Sequence, residues 1–223
     1  MCRERDGKMK YKLLIFDLDG TILDTLEDLT DSVNHALDEK GLPTRSIAEI
    51  KSFVGNGIHK LIERAVPRNI EEEEIEQVFK EFKVYYGIHC ADKTKPYKGI
   101  EELLQELKKA GYKLAVVSNK ADFAVQELCK QYFPNIFDVA VGEKAGVKRK
   151  PAPDSVLAVI EALKIEKEQA VYIGDSEVDI ATAKNAEMTE IAVTWGFREE
   201  DFLKSEGAKM IVQEPKEIMT IIL

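Results

Sequence analysis

Apolar residues along the chain follow two spacings: short unbroken runs, and intervals of three or four. The run Leu13–Phe16 has no polar interruption, which favours a strand buried on both faces, as in a parallel sheet. The segment after residue 25 has helical spacing instead. The apolar positions on that helical face are Leu26, Leu29, Val33 and Leu37. The chain is therefore predicted to begin with a buried strand followed by an amphipathic helix.

Beyond residue 98 the two spacings alternate, so strands and helices are predicted in turn. The predicted strands are residues 113–117, 137–141, 170–173, 190–194 and 210–212. The predicted helices are residues 99–110, 122–132, 154–163, 180–186, 198–206 and 215–223. Strands that alternate with helices form a parallel sheet covered on both faces. We therefore predict the α/β class, with a doubly wound parallel sheet.

The segment of residues 24–93 departs from this alternation. Its pattern predicts only helices, at residues 26–37, 47–53, 58–66 and 70–86. Because the segment lies between the first strand and the next strand–helix unit, we predict an inserted small helical domain. The predicted organisation is an α/β core of residues 1–23 and 94–223 and a helical domain of residues 24–93.

Polar residues are concentrated where the predicted strands end. They form four clusters: Asp17 and Asp19, Ser118 and Asn119, Lys148 to Lys150, and Asp175 with Asp179. The carboxyl ends of parallel strands meet at one edge of the sheet, where ligands bind in open α/β folds. Two carboxylates at the end of a buried strand are unfavourable unless a cation or hydrogen-bond donors meet them. Taken alone, the first pair also fits an acidic turn that closes a strand.

The net charge narrows the classes of function. A formal net charge of -9 argues against binding to nucleic acid or to anionic membranes, which requires a basic face. An anionic substrate must then be attracted by a local positive site, because the overall field repels it. We expect no nucleic-acid or membrane partner, and a monomer or weak homodimer.

The cysteines and the start of the chain bear on the cellular compartment. Cys2, Cys90 and Cys129 are odd in number and lack CxxC spacing, so we interpret them as reduced thiols of a cytoplasmic protein. No apolar run approaches the ~20 residues of a membrane helix. Residues 1–10 are charged and have no apolar centre, so no signal peptide is predicted, and Met9 is an alternative start.

The sequence D-x-D-G-T at residues 17–21, directly after an apolar strand, resembles the first motif of the haloacid dehalogenase (HAD) superfamily, which consists mostly of phosphatases. The other three clusters follow in the order and spacing of that family, and residues 24–93 occupy the position of its cap domain. The resemblance covers the chain from about residue 11 onward. It implies a phosphatase that works through an aspartyl-phosphate intermediate.

The resemblance also implies roles for individual residues. Asp17 matches the nucleophile and Asp19 the general acid/base. Mg²⁺ is implied as the cofactor, held by the carboxylates of Asp17 and Asp175 and by the backbone carbonyl at Asp19. The other implied roles are charge compensation by Lys150, phosphate binding by Ser118, substrate binding by Gly20, Thr21 and Asn119, and support of the metal site or of Lys150 by Asp179.

Three of these assignments have structural alternatives. Lys148 competes with Lys150, although Lys150 directly precedes a proline, as the family pattern requires. Ser118 could cap the turn that follows its strand. Asp179 could be an acidic residue at a helix N-terminus.

The inserted domain bears on the choice of substrate. Gly55, Asn56 and Gly57 precede a predicted helix and resemble the cap of phosphoglycolate phosphatases, where a helix N-terminus favours a substrate carboxylate. The resemblance implies 2-phosphoglycolate as the small anionic substrate, and a plain turn between two helices is the alternative reading.

Other functions stay open beside this one. Relatives that hydrolyse pyrophosphate or nucleotides are not excluded by the cap. A phosphomutase is disfavoured, because Gly174 stands where that branch has an acidic residue. From a different class, a non-catalytic binding or regulatory protein on the same fold is a second hypothesis, which the complete set of site residues disfavours.

Overall fold

The fold is that of a computed structural model, which describes residues 10–223. The predictions about Cys2, about Met9 as a start and about a leader-free beginning lie outside the described residues. The strands are β1 Leu13–Phe16, β2 Leu23–Asp24, β3 Lys95–Pro96, β4 Lys113–Ala121, β5 Val139–Glu143, β6 Ala170–Gly174, β7 Thr189–Val193 and β8 Ile211–Val212. The helices are α1 Leu26–Asp38, α2 Ile47–Phe53, α3 Ile58–Ala65, α4 Glu72–His89, α5 Ile100–Lys109, α6 Asp122–Tyr132, α7 Asp154–Leu163, α8 Glu177–Asn185, α9 Glu200–Ser205 and α10 Glu217–Ile222, with one 3-10 turn at Lys167–Gln169.

Six strands form one sheet in the order β5-β4-β1-β6-β7-β8, and every neighbouring pair in it is parallel. β1 lies inside the sheet, where Phe16 faces Val116 of β4 on one side and Ile173 of β6 on the other. The residues that follow these three positions therefore lie together at the carboxyl edge of the sheet, as the sequence predicts.

β1 is buried on both faces, which its unbroken apolar run requires. Leu14 and Phe16 pack in one cluster with residues of α5, α6 and α10, whereas Leu13 and Ile15 pack in another with residues of α7 and α8. All four side chains are fully buried. Helices thus cover both faces of a parallel sheet, which confirms the predicted α/β class.

Helices α1 to α4 enclose a third hydrophobic cluster. Its buried members all lie between Leu29 and Cys90 and are distinct from the buried residues that pack on the sheet. We call residues 24–93 the cap and the remainder the core. The separation of the clusters supports the predicted division of the chain, which stays a prediction.

A short antiparallel ribbon at the junction of cap and core was not predicted. β2 and β3 pair through Leu23 with Pro96 and through Asp24 with Lys95. The two connections between core and cap therefore run side by side. Strands of two residues are too short for an alternating pattern to reveal.

Two element boundaries differ from the prediction in ways that affect the site. β4 continues to Ala121 instead of ending at Val117, with an irregular register between these residues. α8 begins at Glu177, three residues before its predicted start. In both places the strand or helix includes polar residues that the sequence pattern leaves outside it. Their hydrogen-bond and ion-pair partners include residues distant in the sequence, which a local pattern does not reveal. Within residues 10–223, no helix has both the length and the apolar character that crossing a membrane needs.

Candidate active site

A cleft that is partly open to solvent lies between the carboxyl edge of the sheet and the cap. The core residues that line it are Asp17, Asp19, Ser118, Asn119, Lys120, Lys150, Asp175, Ser176 and Phe197. The cap residues that line it are Leu29, Val54, Gly55, Gly57, Ile58 and Leu61. The fold thus brings all four predicted clusters of polar residues to this edge of the sheet, and each of them supplies at least one residue that lines the cleft.

Asp17 follows β1 directly and lies at the floor of the cleft. Its Oδ1 accepts a hydrogen bond from the backbone N–H of Leu18 at 2.7 Å and lies 2.9 Å from Lys150 Nζ. Burial raises the pKa of Asp17 to about 7; Lys150 opposes this rise, and the charge of Asp179 adds to it. Asp17 therefore ionises fully at neutral pH only when further positive charge is near it.

Lys150 is held on both its backbone and its side chain. Asn119 of β4 donates to the Lys150 carbonyl at 3.0 Å and accepts from the Lys150 N–H at 2.9 Å. The ammonium donates to Asp179 at 2.8 Å and to the hydroxyl of Tyr172 at 2.9 Å. Burial lowers the pKa of Lys150, but Asp17 and Asp179 outweigh that effect, so the pKa lies well above its usual value. Lys148 is exposed, whereas Lys150 contacts Asp17; this geometry favours Lys150, and its role stays a prediction.

Asp175 follows β6 and is fixed by two donors. Thr21 Oγ1 donates to Asp175 Oδ1 at 3.0 Å, and the backbone N–H of Phe197 donates to Oδ2 at 2.7 Å. Gly20 has a φ of +85°, and a Cβ there would lie 2.4 Å from Asp175 Oδ2. Gly20 and Thr21, predicted to bind substrate, are not among the residues that line the cleft; they position Asp175 from behind.

Asp179 combines the two roles between which the sequence left a choice. Its Oδ2 accepts from the N–H of Asp175 at 3.2 Å and from the N–H and hydroxyl of Ser176 at 3.1 and 2.6 Å, so it caps the start of α8. Its Oδ1 accepts from Lys150. Gly174 is needed for this packing, since a Cβ there would lie 2.3 Å from Asp179 Cγ.

The carboxylates form a group with the chemistry of a divalent-cation site. Oxygen atoms of Asp17, Asp175 and Asp179 lie within 4.8 Å of one another. Burial, together with the charges of Asp179 and Asp17, raises the pKa of Asp175 well above its usual range. A divalent cation would offset this burial and repulsion, and carboxylate oxygens are the ligands that such hard cations prefer. Asp17 and Asp175 line the cleft and Asp179 does not, so the carboxylate oxygens that a cation in the cleft could reach belong to Asp17 and Asp175.

Lys120 was not predicted as a site residue. It donates from Nζ to Asp19 Oδ1 at 3.0 Å and to the hydroxyl of Tyr86 in α4 of the cap. Burial lowers the pKa of Lys120, but Asp19 and Tyr86 together outweigh that effect and the pKa is raised. The signal that could have found Lys120 is its place directly after Ser118 and Asn119. Tyr86 carries no local signal of this kind.

Ser118 lines the cleft, and its hydrogen bond also fits the alternative in which it caps the turn after its strand. Its Oγ accepts from the backbone N–H of Lys120 at 3.3 Å. Since a hydroxyl that accepts can still donate, the Ser118 hydrogen is available to an acceptor in the cleft. Asn119, predicted to bind substrate, faces the cleft but uses its amide to hold Lys150.

The cap closes the cleft with the loop before α3. Gly55 and Gly57 line the cleft, whereas Asn56 does not: its Oδ1 accepts from Arg64 at 2.8 Å. Gly57 is the N-cap residue of α3, so the first turn of that helix opens toward the cleft. From the core, Arg198 donates to the Val54 carbonyl at 2.8 Å and thereby fixes the start of the loop.

The sequence is similar to those of known proteins. The family of haloacid dehalogenase-like hydrolases matches residues 14–193. A phosphoglycolate phosphatase of Psychrobacter arcticus is 36% identical over 85% of this chain and 86% of its own length. One of Aquifex aeolicus is 31% identical over 95% of this chain and 96% of its own length.

A solved structure from Lactobacillus delbrueckii subsp. bulgaricus, provisionally named a phosphoglycolate phosphatase, has 43% identity and a TM-score of 0.92. The match covers 96% of this chain and 99% of that one. These matches thus span both the cap and the core of this chain.

Proposed function

The chain belongs to the haloacid dehalogenase-like hydrolase family and is a phosphoric monoester hydrolase, and we propose that it hydrolyses 2-phosphoglycolate through an aspartyl-phosphate. The observation that carries this proposal is the Asp17–Lys150 pair at 2.9 Å on the floor of a cleft that the cap covers. A carboxylate beside a fixed ammonium can approach a phosphate dianion that would otherwise repel it.

In the proposed first step, a carboxylate oxygen of Asp17 attacks the phosphorus atom. The bond between phosphorus and the ester oxygen breaks, and Asp19 gives its proton to the leaving alkoxide. Lys150 stabilises the charge on the transferring phosphoryl group, and the Ser118 hydroxyl donates to one of its oxygens. The products are the alcohol, glycolate in the case of 2-phosphoglycolate, and the aspartyl-phosphate.

In the proposed second step, water attacks the phosphorus of the aspartyl-phosphate. The Asp19 carboxylate accepts a proton from that water, and the bond between phosphorus and the Asp17 oxygen breaks. Inorganic phosphate leaves, Asp17 is again a carboxylate and Asp19 is again protonated. Over one cycle the reaction consumes one water molecule and releases the alcohol and inorganic phosphate.

We propose Mg²⁺ as the cation of this site. Asp17 and Asp175 offer carboxylate oxygens, and the backbone carbonyl at Asp19 is the third proposed ligand, since the Asp19 side chain is engaged by Lys120. What the ion supplies when bound is positive charge, which offsets the raised pKa values of the two carboxylates and the charge of the substrate. Gly20 and Thr21 hold Asp175 in place for this role.

The cap favours a small substrate that carries a second anionic group. Leu29, Val54 and Leu61 give the cleft an apolar cap side, while the first turn of α3 behind Gly57 offers free N–H groups and the positive end of the helix dipole. We propose that the carboxylate of 2-phosphoglycolate binds at this turn. The phosphate then lies on the core side, between Lys150 and Ser118.

A substrate panel tests the proposal. Initial rates are measured for 2-phosphoglycolate, ethyl phosphate, pyrophosphate, nucleoside monophosphates and p-nitrophenyl phosphate, each with Mg²⁺ and with EDTA. Ethyl phosphate matches 2-phosphoglycolate without the carboxylate, so we expect kcat/KM to be lower for it by about 10²-fold or more. Asp17→Asn is the control for contaminating phosphatases.

The three possible outcomes of the panel distinguish the proposed substrate, another phosphatase substrate and a protein without turnover. Mg²⁺-dependent activity that is highest on 2-phosphoglycolate supports the proposal. Highest activity on pyrophosphate or a nucleotide keeps the phosphatase and overturns the substrate. Absence of metal-dependent turnover on every compound would leave the hypothesis of a non-catalytic binding protein.

We further propose a cytoplasmic location, based on the thiols. Cys90 and Cys129 are both free and buried, as a reducing compartment permits. The absence of nucleic-acid and membrane partners, and a monomeric or weakly dimeric state, stay predictions.

A further inference from the structure

Lys120 bridges the core and the cap inside the cleft. It belongs to β4, its side chain is 2% exposed, and its ammonium lies 3.0 Å from Asp19 Oδ1. The same ammonium donates to the hydroxyl of Tyr86 and lies 4.7 Å from the centroid of the Tyr86 ring. Tyr86 is in turn fixed inside the cap, where its ring stacks on Phe82 with centroids 5.0 Å apart.

Without this lysine, the Asp19 side chain would have considerable freedom. Its carboxylate is 16% exposed and faces the cleft, and Lys120 is its one ion-pair partner among the described residues. A general acid must present its proton to the leaving oxygen within hydrogen-bond reach. An ammonium with two fixed partners restricts the carboxylate to one orientation, and side chains held in this way act with less loss of entropy.

We propose that Lys120 is a positioning residue that orients the Asp19 carboxylate for proton transfer, and that Tyr86 of the cap holds Lys120 in that role. This inference rests on the proposed function of Asp19. It means that the acid/base end of the site is complete only with the cap seated on the core. The nucleophile end requires no cap residue, because Asp17, Lys150, Asp179 and Tyr172 all belong to the core.

A competing role for Lys120 is recognition of the substrate carboxylate, since its side chain lines the cleft. The two roles differ in which substrates depend on the lysine. A carboxylate-binding lysine matters only for substrates that carry a carboxylate. A lysine that positions the general acid matters for every poor leaving group, with or without one.

Three substrates separate these roles, and kcat/KM is the measured quantity because it reports the step that releases the leaving group. p-Nitrophenyl phosphate has a good leaving group, ethyl phosphate has a poor one, and 2-phosphoglycolate has a poor one with a carboxylate. For Lys120→Met we expect kcat/KM to fall about 10- to 100-fold on both poor leaving groups and less than about threefold on p-nitrophenyl phosphate.

Two further variants and one control sharpen the test. Tyr86→Phe keeps the ring and its stacking but removes the hydroxyl, so we expect the same pattern with a loss of about 3- to 10-fold. Lys120→Arg keeps a donor for Asp19 and should recover part of the activity on poor leaving groups. Val78→Ala changes cap packing in the same helix, eight residues before Tyr86, and should leave the ratio between good and poor leaving groups unchanged.

Thermal unfolding of each variant shows whether it is folded. If Lys120→Met does not fold, Tyr86→Phe still tests the proposal. Equal losses on all three substrates would overturn the inference in favour of a structural role. A loss on 2-phosphoglycolate alone would assign Lys120 to carboxylate binding instead. If the wild-type protein hydrolyses none of the three, the proposed function fails; if it hydrolyses them and the variants behave like wild type, only the role of Lys120 fails.

Discussion

The two buried lysines of the cleft have similar surroundings, although Lys150 has a second carboxylate partner, Asp179. Lys150 contacts Asp17 and the hydroxyl of Tyr172, and Lys120 contacts Asp19 and the hydroxyl of Tyr86. In the first set all three residues belong to the core. In the second set the tyrosine belongs to the cap.

This difference separates two requirements of the proposed reaction. The nucleophile and its cation are fixed by the sheet, so they are ready before substrate enters. The proposed acid/base, Asp19, is held through Lys120 by a residue of the cap. Proton transfer is therefore the part of the reaction that we expect to depend on the contact between cap and core, and the variants below test that contrast.

The largest effect is expected for the nucleophile. Asp17→Asn keeps the size of the side chain but removes the attacking carboxylate, so kcat/KM should fall roughly 10⁴-fold or more on every substrate. Mass spectrometry of acid-quenched protein should find no phosphoryl adduct. An adduct in this variant, or one on another residue of the wild type, would refute the assignment of Asp17.

Asp19→Asn should impair both chemical steps but in unequal measure. With 2-phosphoglycolate we expect a loss of ~10²–10⁴-fold, because the leaving alkoxide needs a proton. With p-nitrophenyl phosphate the first step should survive better than the second, so the aspartyl-phosphate should accumulate and be detected on the peptide that contains Asp17. If the quenched variant carries no adduct on that peptide, Asp19 does not serve the second step.

Lys150→Met should lower kcat/KM by about 10²- to 10³-fold, since it removes one fixed charge that stabilises the transferring group. The loss should be similar for good and poor leaving groups, in contrast to that of Lys120→Met. Lys148→Met is the matched control, because Lys148 lies two residues away and is exposed; it should keep wild-type rates. A loss that grows with poorer leaving groups would remove the distinction between the two lysines.

The smallest effect is expected for Glu190, a half-buried carboxyl group that forms no ion pair with a lysine among the described residues. Glu190 Oε1 in β7 has no hydrogen-bond partner among residues 10–223, and burial, with a contribution from Asp179, raises the pKa of Glu190 to about 7. The unfolded chain ionises this carboxyl at lower pH. Stability from this group is therefore present at low pH and lost as the pH rises toward about 7.

Glu190→Gln should accordingly stabilise the protein by about 1 kcal/mol at about pH 8, after allowance for its partial exposure, and by little at about pH 5. The measurement is chemical unfolding at both pH values. Glu101→Gln, at an exposed position of α5, is the control and should show no such trend. A stabilisation equal at both pH values would show that ionisation of Glu190 is not its source.

Patterns along the chain were sufficient to predict the parallel sheet and the edge of it at which the candidate cleft lies. The limits of β1, α2, α6 and α7 agree with the structure, because apolar runs and helical spacings report burial directly. Asp17, Asp175 and Lys150 were predicted to lie together, and they line one cleft, for a related reason: polar residues that follow buried strands collect at one edge of a parallel sheet. Burial then distinguished Lys150 from Lys148, which local sequence left in competition.

Only the tertiary structure decided which side chains are partners. Asp19 and Lys120 are 101 positions apart, and Lys120 and Tyr86 are 34 apart, so no local pattern records their contact. The same holds for Asn119, which holds Lys150 from 31 positions away, and for Thr21, which holds Asp175 from 154 positions away. Hydrophobic spacing determines which elements form, whereas the partner of a buried polar group depends on which strand ends and which cap helix the fold brings together.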